Sequence, residues 1–363
     1  MRLCLIASSR LAGGSERCVS LLAKGFAREG DQVDVITLSR GPVFDWLRKS
    51  GQEPRVIPVL ELSPRRFANR LCTLRRGLKN QNIEVAHVHF PACFFDPSIL
   101  LGIRLAGIKN LAATFHHPTP NLPRHAKIFR TALKMCRHVI FDTQENLEFS
   151  ERDGFVAPGQ GKVCRLGVDD PLKIDKRHAR IKLGLPQDTL IIGCLARQSP
   201  DKRVQVLISS VQMASKLLPN LCLAVAGSGE LEDQNRGFGI EILGDRFTHF
   251  GALDDIQAFM AAIDIFALPS ELEGFGLVYV EAGAQGVPSI GCRGGGIANA
   301  IVDGQTGYLI DPTEPASELA EKIVLLAQDA DLRQQMGTNA ERHYLENYSL
   351  AATVAAHREL YMS

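Results

Sequence analysis

Short apolar runs alternate with helix-like stretches along the whole chain. In the first half the predicted strands are Leu3–Ala7, Val33–Leu38, Val56–Val59, Val85–His89, Leu111–Phe115, Val139–Asp142 and Val163–Leu166. In the second half they are Leu190–Ala196, Cys222–Gly227, Thr248–Gly251, Ile265–Leu268, Pro288–Gly291 and Gly307–Ile310. Short apolar strands separated by helices predict parallel sheets that are covered on both faces.

The stretches between the strands carry apolar residues at helical spacing. In the first half the predicted helices are Ser15–Glu29, Arg65–Gln81, Phe94–Ala106, Arg124–Cys136 and Asn146–Asp153. The turn residues of Gly167–Lys173 follow the last strand of that half, so we place a domain linker there. Ser349–Met362 is predicted as a final helix that could fold back across the boundary. Two doubly wound α/β domains are the simplest architecture, and such sheets bind ligands at the carboxyl ends of their strands.

The composition is that of an ordinary globular protein: 363 residues, 45% hydrophobic and 22% charged. The apolar run near the N-terminus is too short for a signal peptide, and no run approaches 18 apolar residues, so no transmembrane helix is expected. The nine cysteines contain no CxxC pair, and Cys4, Cys194 and Cys222 lie in strand-like runs. This pattern indicates reduced, structural thiols in a cytoplasmic protein.

The charge is distributed unequally between the two halves. Residues 1–170 hold 25 Lys and Arg against 16 Asp and Glu, a net of +9, whereas the rest holds 16 against 24, a net of −8. The basic half is expected to meet something anionic. Its densest stretch, Ser63–Lys79, combines an apolar stripe with a basic face. The stripe consists of Phe67, Leu71, Leu74 and Leu78, and the basic residues off it are Arg65, Arg66, Arg70, Arg75, Arg76 and Lys79.

Two interpretations of this basic helix remain open. It can rest on an anionic membrane surface, or it can pack on the sheet and leave its basic face solvated. The second is favoured, because the stripe has the width that ordinary sheet packing needs.

Two glutamates, Glu273 and Glu281, are the first candidate site residues. On one continuous helix they would lie about 12 Å apart along the axis, too far to serve one small group. Gly274 and Gly276 instead predict that Glu273 lies in a loop and that a helix begins near Leu277. Its free N–H groups would then face an anion, and Glu281 could accept hydrogen bonds from a ribose diol. The alternative is a loop glutamate and an unrelated, solvated helix glutamate.

The segment from Glu273 to Glu281, with GFGLVYV between the glutamates, resembles the E-x7-E motif of retaining glycosyltransferases of the GT-B fold. That family, glycosyltransferase family 4 or glycosyl transferases group 1, includes sucrose synthase and bacterial mannosyltransferases. The resemblance extends through almost the whole chain. Further segments similar to the family are the Gly13-Gly14-Ser15-Glu16-Arg17 loop, Glu84–His89, Phe115–His117 and Gly167-Val168-Asp169.

The resemblance implies a GT-B architecture, with two Rossmann-like doubly wound domains that face each other across a cleft. Residues 1–168 would form the acceptor-side domain, residues 169–348 the nucleotide-sugar-binding domain, and residues 349–363 a C-terminal helix. It also places Gly274, Phe275, Gly276 and Leu277 among the residues that bind the donor.

Arg197 follows a predicted strand and Lys202 begins the next helix, so both could converge on one pyrophosphate. An Arg-x4-Lys pair alone is weak evidence, because most such pairs are solvated. The family carries a donor-phosphate Arg and Lys with this spacing. The resemblance therefore implies that Arg197 and Lys202 neutralise charge on the leaving diphosphate.

Glycine turns complete the predicted nucleotide pocket. Gly227 and Gly229 form a turn after a strand that is similar to the family's Gly-x-Gly turn. Gly13 and Gly14 would let a helix N-terminus approach the donor phosphates. No full G-x-G-x-x-G motif follows a strand, which argues against a dehydrogenase.

His116 and His117 follow a strand, and adjacent side chains there cannot point the same way. The resemblance favours His116 as the residue that contacts the donor sugar; the alternative is a structural loop histidine. No metal is expected, because the histidines lack ligand spacing. Two departures from the family pattern, Asn299 in place of a Glu and the missing Pro-Asn before Gly167, could alter which sugar fits.

The resemblance implies sugar transfer from a nucleoside diphosphate donor to an acceptor hydroxyl with retention, catalysed by Arg197, Lys202, Glu273 and His116. UDP is the first expectation for the nucleotide and GDP the second, and neither a cofactor nor nucleic acid is expected. The acceptor would be a glycan or lipid-linked glycan of cell-envelope polysaccharide or lipopolysaccharide synthesis, reached by peripheral contact with the inner face of the plasma membrane. The alternatives are a nucleotide-sugar epimerase or a phosphorylase-like relative on the same fold, and a catalytically silent binding module.

Overall fold

The computed structural model describes residues 1–10, 14–63, 66–91, 96–116, 126–271 and 273–363. The chain divides into two compact units. Unit 1 comprises Met1–Gly167 together with Leu350–Ser363, and unit 2 comprises Val168–Ser349. Within the described ranges, every helix is too short or too polar to cross a membrane.

Each unit is built around one parallel sheet. The strands of unit 1 are β1 (Arg2–Ala7), β2 (Gln32–Thr37), β3 (Arg55–Val56), β4 (Val85–Phe90), β5 (Asn110–Phe115), β6 (His138–Phe141) and β7 (Gly161–Val163). Those of unit 2 are β8 (Leu190–Leu195), β9 (Leu221–Ala226), β10 (Phe247–His249), β11 (Ile265–Leu268), β12 (Ser289–Cys292) and β13 (Gly307–Ile310). The strand orders are β3-β2-β1-β4-β5-β6-β7 and β10-β9-β8-β11-β12-β13.

Both orders have the Rossmann pattern, in which the chain reverses its direction of sheet growth after the third strand. The switch points therefore lie between β1 and β4 in unit 1 and between β8 and β11 in unit 2. Ligands bind such sheets at the carboxyl ends of the strands beside the switch point. The predicted α/β class with two Rossmann-like parallel sheets is thus confirmed.

Helices connect and cover the strands. They are α1 (Gly14–Arg28), α2 (Pro42–Lys49), α3 (Phe67–Leu78), α4 (Pro97–Leu105), α5 (Ala126–Leu133), α6 (Gln144–Arg152), α7 (Lys176–Leu183), α8 (Val204–Ser215), α9 (Glu232–Leu243), α10 (Ile256–Ala262), α11 (Leu277–Ala284), α12 (Ile297–Ala300), α13 (Pro315–Gln328), α14 (Ala330–Asn347) and α15 (Leu350–Met362). Several begin at side chains that cap free N–H groups: Asp96 accepts from Ser98 N, and Thr143 accepts from Asn146 N.

Unit 1 has a hydrophobic core on each face of its sheet. One core joins α1 to the C-terminal helix α15, where Phe26 stacks on Tyr361 at a centroid distance of 5.8 Å. The other contains Leu74 of α3, Ile99 of α4 and Leu133 of α5. The last helix of the chain therefore belongs to the same unit as the first strand.

Most strands begin or end within two residues of their predicted bounds, and β3 and β7 differ most from them. β3 covers only Arg55–Val56, because the chain turns after Ile57: Ile57 N still donates to Thr37 O of β2 at 2.9 Å, but Val59 N donates back to Ile57 O at 2.7 Å. β7 covers Gly161–Val163 and thus begins earlier than predicted. Its first residue lies so close to Leu147 that a Cβ at Gly161 would be 2.2 Å from a Leu147 methyl group, so a side chain there would require Leu147 to move.

The predicted basic helix corresponds to α3, and the placement of Arg70 on a solvated basic face is wrong. Arg70 is 5% exposed, forms an ion pair with Asp96, and donates from Nε to Leu62 O at 3.1 Å. Leu74 and Leu78 are buried as predicted, whereas Phe67 is 45% exposed. The apolar stripe is thus shorter than predicted, because the first turn of α3 leaves Phe67 in solvent. Pro64 and Arg65 lie outside the described residues.

Candidate active site

Arg197 lies two residues after β8, at the carboxyl end of the strand beside the switch point of unit 2. Its side chain is 58% exposed. Nε donates to Ser199 Oγ at 3.3 Å, and the guanidinium is 3.9 Å from the Asp201 carboxylate. These contacts are weak, so the guanidinium is available to an anionic ligand.

Lys202 and Glu273 are 71 residues apart in sequence and form an ion pair. Lys202 Nζ is 2.8 Å from Glu273 Oε1, and the two side chains are 14% and 17% exposed. The same ammonium is 3.0 Å from Asp201 and 3.4 Å from Ser270 Oγ. Burial raises the pKa of Asp201, but a hydrogen bond from Ser199 and the charge of Lys202 outweigh burial and lower it. Charged groups from β8 and β11 therefore meet at one sheet edge.

The glutamate segment has the predicted local structure. Glu273 lies in a loop, Gly276 adopts φ 84°, and α11 begins at Leu277. A Cβ at Gly276 would be 2.7 Å from the Tyr279 ring, whose hydroxyl donates to Leu268 O at 2.7 Å. This contact ties the start of α11 to the end of β11. Tyr279 N donates to Gly276 O at 3.0 Å, and the N–H groups of Leu277 and Val278 before it are the ones that a helix start leaves for other acceptors, so the predicted anion site at this helix start stays a prediction.

The other residues predicted around this helix are largely buried. Glu281 lies in the second turn of α11 and is 7% exposed. Gly274, Phe275 and Leu277 are also buried, and the Phe275 ring makes an edge contact with Tyr348 at 5.4 Å. Phe275 and Leu277 thus anchor the loop and helix start in the core of unit 2.

The Gly227–Gly229 turn lies directly against the Arg197 segment. Gly227 adopts φ 116°, and a Cβ there would be 1.9 Å from Ala196 O. A Cβ at Gly229 would be 2.5 Å from Gln198 O. Neither position accepts a side chain, so the turn after β9 can approach the backbone on both sides of Arg197.

In unit 1, His116 is part of a buried hydrogen-bonded chain. Its Nδ1 is 2.7 Å from Asp142 Oδ2, and its Nε2 is 3.0 Å from His89 Nδ1. The three residues are 8%, 1% and 0% exposed and follow or end β5, β6 and β4. Both ring nitrogens of His116 therefore already have protein partners. Gly14 is the first residue of α1, while Gly13 and His117 lie outside the described residues.

The chain of histidines continues toward the C-terminal helix. The rings of His89 and His87 are 4.1 Å apart, and His87 Nδ1 is 2.7 Å from the Tyr361 hydroxyl. Burial lowers the pKa of His87 and of His89 well below the ordinary value, and burial lowers the pKa of His357 to about 4. Asp142 Oδ1 and the Nε2 atoms of His89 and His357 are buried without a hydrogen-bond partner among the described residues.

Sequence reasoning missed four residues that shape these sites: His89 and Asp142 in unit 1, and Gln198 and Asn235 in unit 2. Asp142 could have been found, because it ends a predicted strand next to the strand that precedes His116, and carboxyl ends of parallel strands meet at one edge. Gln198 and Asn235 carry no such pattern. In the described part of the chain, no three His, Cys, Asp or Glu side chains are arranged to bind a metal ion.

Comparison with known proteins identifies the family. The family described as "Glycosyl transferases group 1" matches residues 175–343, and "Glycosyltransferase Family 4" matches residues 12–170. The D-inositol 3-phosphate glycosyltransferase of Corynebacterium efficiens is 33% identical over 96% of this chain and 90% of its own. The N-acetyl-alpha-D-glucosaminyl L-malate synthase of Bacillus anthracis is 24% identical over 78% of this chain and 75% of its own.

Solved structures show the same fold. A glycosyltransferase from Rickettsia africae has a TM-score of 0.83 at 20% identity, over 99% of this chain and 97% of that chain. The HepE protein of Anabaena in complex with UDP and glucose has a TM-score of 0.78 at 21% identity, over 99% and 98%. The fold is therefore that of a GT-B glycosyltransferase. The chain belongs to glycosyltransferase family 4, with a group 1 C-terminal half, and the protein is a glycosyltransferase.

Proposed function

We propose that the protein transfers a hexose from a nucleoside diphosphate sugar to an acceptor hydroxyl with retention of configuration. UDP is the favoured nucleotide and GDP the second, and no metal is needed because cationic side chains take its role. One observation carries the proposal: Arg197, Lys202 and Glu273 lie together at the carboxyl edge of the unit 2 sheet, beside its switch point.

In this proposal, Lys202 exchanges partners when the donor binds. Lys202 forms an ion pair with Glu273 in the unliganded protein. A diphosphate that reaches Arg197 and Lys202 frees Glu273 to accept hydrogen bonds from the donor sugar. The N–H groups at the start of α11 bind a phosphate oxygen, and Glu281 binds the ribose diol.

The transfer step needs no protein nucleophile. The bond from the anomeric carbon to the diphosphate oxygen breaks, and the acceptor oxygen forms its bond on the same face. The acceptor proton passes to a phosphate oxygen of the leaving diphosphate. Arg197 and Lys202 stabilise the charge that develops on that group. The role of His116 as a hydrogen-bond partner of a donor-sugar hydroxyl stays a prediction, and it requires that the bond from His116 Nε2 to His89 be released.

The net charge of the first half of the chain is the basis for the proposed acceptor. Residues 1–170 carry a net charge of +9, which suits an anionic or lipid-linked glycan of the cell envelope. In α3 and at its ends, exposed Arg66, Arg75, Arg76 and Lys79 offer a surface for contact with the inner face of the plasma membrane. A second candidate acceptor is a small phosphorylated polyol, favoured by the name of the Corynebacterium efficiens relative, D-inositol 3-phosphate glycosyltransferase.

The first test is ligand binding. Thermal unfolding is measured with UDP, GDP, their common sugar conjugates and NAD, for the native protein and for Arg197→Ala. A ligand at about 100 times its dissociation constant should add roughly 2.7 kcal/mol. We expect the unfolding temperature to rise with one nucleotide family, and Arg197→Ala to abolish this rise. Arg342 is an exposed arginine of α14, and Arg342→Ala should retain the rise. A shift with NAD alone, or no shift, would overturn the proposal.

The second test separates transfer from its alternatives. The donor that binds is incubated with and without candidate acceptors, and the products are separated by chromatography. A nucleotide-sugar epimerase forms product without an acceptor, and a silent binding module forms none at all. Transfer requires a glycosylated acceptor together with free nucleoside diphosphate, and the anomeric coupling constant of that product reports retention or inversion.

A further inference from the structure

The backbone around Arg197 is held from both sides by the glycine turn of unit 2. Ala196 N donates to Ala226 O at 3.1 Å, and Gln198 N donates to Ser228 O at 2.9 Å. Gln198 O in turn accepts from Leu231 N at 2.9 Å. Ala196 and Gln198, the two neighbours of Arg197, are both bonded to β9 or the segment after it. These bonds therefore fix the backbone position from which the Arg197 side chain extends.

A buried amide pair adds a connection from α9. Gln198 is 0% exposed and Asn235 is 1% exposed. Asn235 Nδ2 donates to Gln198 Oε1 at 2.8 Å, and Gln198 Nε2 donates to Ala196 O at 3.2 Å. The Gln198 side chain thus connects Ala196, the residue before Arg197, to α9. The backbone of Gln198, the residue after Arg197, is bonded to the segment after β9.

Stability alone gives no reason to keep these two amides. Asn235 Oδ1 is buried without a hydrogen-bond partner among the described residues. An unsatisfied buried polar group is unfavourable, and a partly satisfied pair is worse than an apolar pair of similar volume. Departures from this rule tend to occur at functional sites.

The side chain of Arg197 needs such support, because its own contacts are weak. It is 58% exposed, with one hydrogen bond at 3.3 Å to Ser199 and a carboxylate at 3.9 Å. Displacement of a charged group by about 1 Å can cost on the order of 10²-fold in rate.

We infer that Gln198 and Asn235 form a positioning pair for Arg197, which holds the guanidinium where the donor diphosphate binds. This inference rests on the proposed function, in which Arg197 binds that diphosphate. Neither amide needs to touch the donor. The pair acts through the backbone of residues 196–198, so its effect on the diphosphate exists only while Arg197 is present.

The experiment is a double-mutant cycle. Gln198→Leu and Asn235→Leu remove the amides at similar volume, singly and together, in the native and the Arg197→Ala backgrounds. Affinities for UDP and for uridine are measured by calorimetry, and unfolding of the unliganded protein by denaturant. We expect UDP affinity to fall roughly tenfold with Arg197 present and to stay unchanged with Arg197→Ala. Uridine affinity should not fall. The unfolding midpoint should be retained by the double variant, whereas each single variant leaves the other buried amide unpaired and should lower it.

A control variant and a rescue variant distinguish loss of the amide pair from a general disturbance of the core of unit 2. Ser210→Ala removes a fully buried hydroxyl of α8 that lies within hydrogen-bond distance of both Val206 O and Ala316 O, and we expect UDP affinity to be retained. Exchanging the amides, with Gln198→Asn and Asn235→Gln together, should restore part of the affinity that the leucine pair loses. This exchange also tests the pair if a leucine variant folds poorly.

Two outcomes would overturn the inference. The first is an equal loss of UDP affinity with and without Arg197, and the second is an equal loss for uridine and UDP, because either makes the pair a general support of the pocket. If Arg197→Ala alone leaves UDP affinity unchanged, the donor role of Arg197 fails as well, so failure of the proposed function is distinguished from failure of the positioning pair.

Discussion

The carboxyl edges of the two sheets hold their ionisable side chains in different ways. In unit 2, Lys202 and Glu273 are 14% and 17% exposed and share an ion pair at 2.8 Å. In unit 1, Asp142 and His89 are 1% and 0% exposed, and together they occupy both ring nitrogens of His116. One edge keeps an ion pair that is partly exposed to solvent, whereas the other keeps a buried chain of hydrogen bonds.

The difference lies in what each edge can exchange with a ligand. In the proposed function a diphosphate replaces Glu273 as the partner of Lys202, and Glu273 then accepts hydrogen bonds from the donor sugar. A ligand of His116 must first replace a buried hydrogen bond to His89. Burial also keeps His87, His89 and His357 neutral, because burial lowers the pKa of each of them. We therefore expect unit 2 to respond to mutation of charge and to salt, and unit 1 to respond to pH.

The largest effect is expected from Lys202→Ala. Loss of one group that stabilises the leaving diphosphate should lower kcat by about 10²–10³-fold, or roughly 2.7–4 kcal/mol. Steady-state kinetics of sugar transfer would measure it. Lys182→Ala is the matched control, since Lys182 also pairs with a carboxylate in unit 2 but lies on α7. Equal kcat values for Lys202→Ala and Lys182→Ala would remove Lys202 from the donor site.

Acid should lower the free energy of unfolding of unit 1 by an amount similar to the change in activation free energy that Lys202→Ala produces. His357 binds a proton near pH 6.5 when unfolded, but its folded pKa is lowered to about 4 by burial. Below pH 6.5 the unfolded chain binds more protons, so stability falls as pH falls, by about 3 kcal/mol down to pH 4. His87 and His89 act in the same direction.

The single tryptophan makes this test specific to unit 1. Trp46 packs against the core that contains Tyr361, so its fluorescence during denaturant unfolding follows that unit. His357→Leu should reduce the loss of stability between pH 6.5 and 4. An unchanged pH dependence in this variant would show that His357 is not a source of the acid sensitivity.

Asp142→Asn should have a smaller effect on unit 1. His116 Nδ1 would lose a charge-assisted hydrogen bond at 2.7 Å and gain at best a neutral one. We expect a loss of about 1–3 kcal/mol at pH 7 by Trp46 fluorescence, with UDP affinity in unit 2 retained. Glu145→Gln, a change in the first turn of α6, is the surface control. A loss of stability no larger than that control would contradict a buried ionic partner for His116.

A rise in salt concentration should produce the smallest effect, and it should act on unit 2 and not on unit 1. Arg197 is 58% exposed, so its attraction to UDP is screened as ionic strength rises. From about 0.05 M to 0.5 M salt we expect UDP affinity to fall several-fold by calorimetry. The acid-induced loss of stability in unit 1 should change little, because its groups are buried. A salt-independent UDP affinity would mean that Arg197 is enclosed when the donor binds.

Most of the architecture was predictable from local patterns. Apolar strands alternating with helices predicted both parallel sheets, and glycines at 274 and 276 predicted the loop and the start of α11 at Leu277. These features depend on periodicity and turn chemistry within a few residues. The same kind of reasoning misplaced Arg70, because helical spacing identifies a face but not the carboxylate, Asp96, that pairs with a cation on it.

The sequence by itself therefore determined the fold class, the family and the segments that carry candidate chemistry. Only the tertiary structure decided which side chains meet. Lys202 meets Glu273 because β8 and β11 become neighbours at a switch point, although 71 residues separate the pair. Gln198 meets Asn235 because α9 follows β9, the other neighbour of β8, and Asp142 meets His116 because the two residues follow the adjacent strands β6 and β5. Strand order and close packing bring distant residues together, and local sequence patterns do not encode those distances.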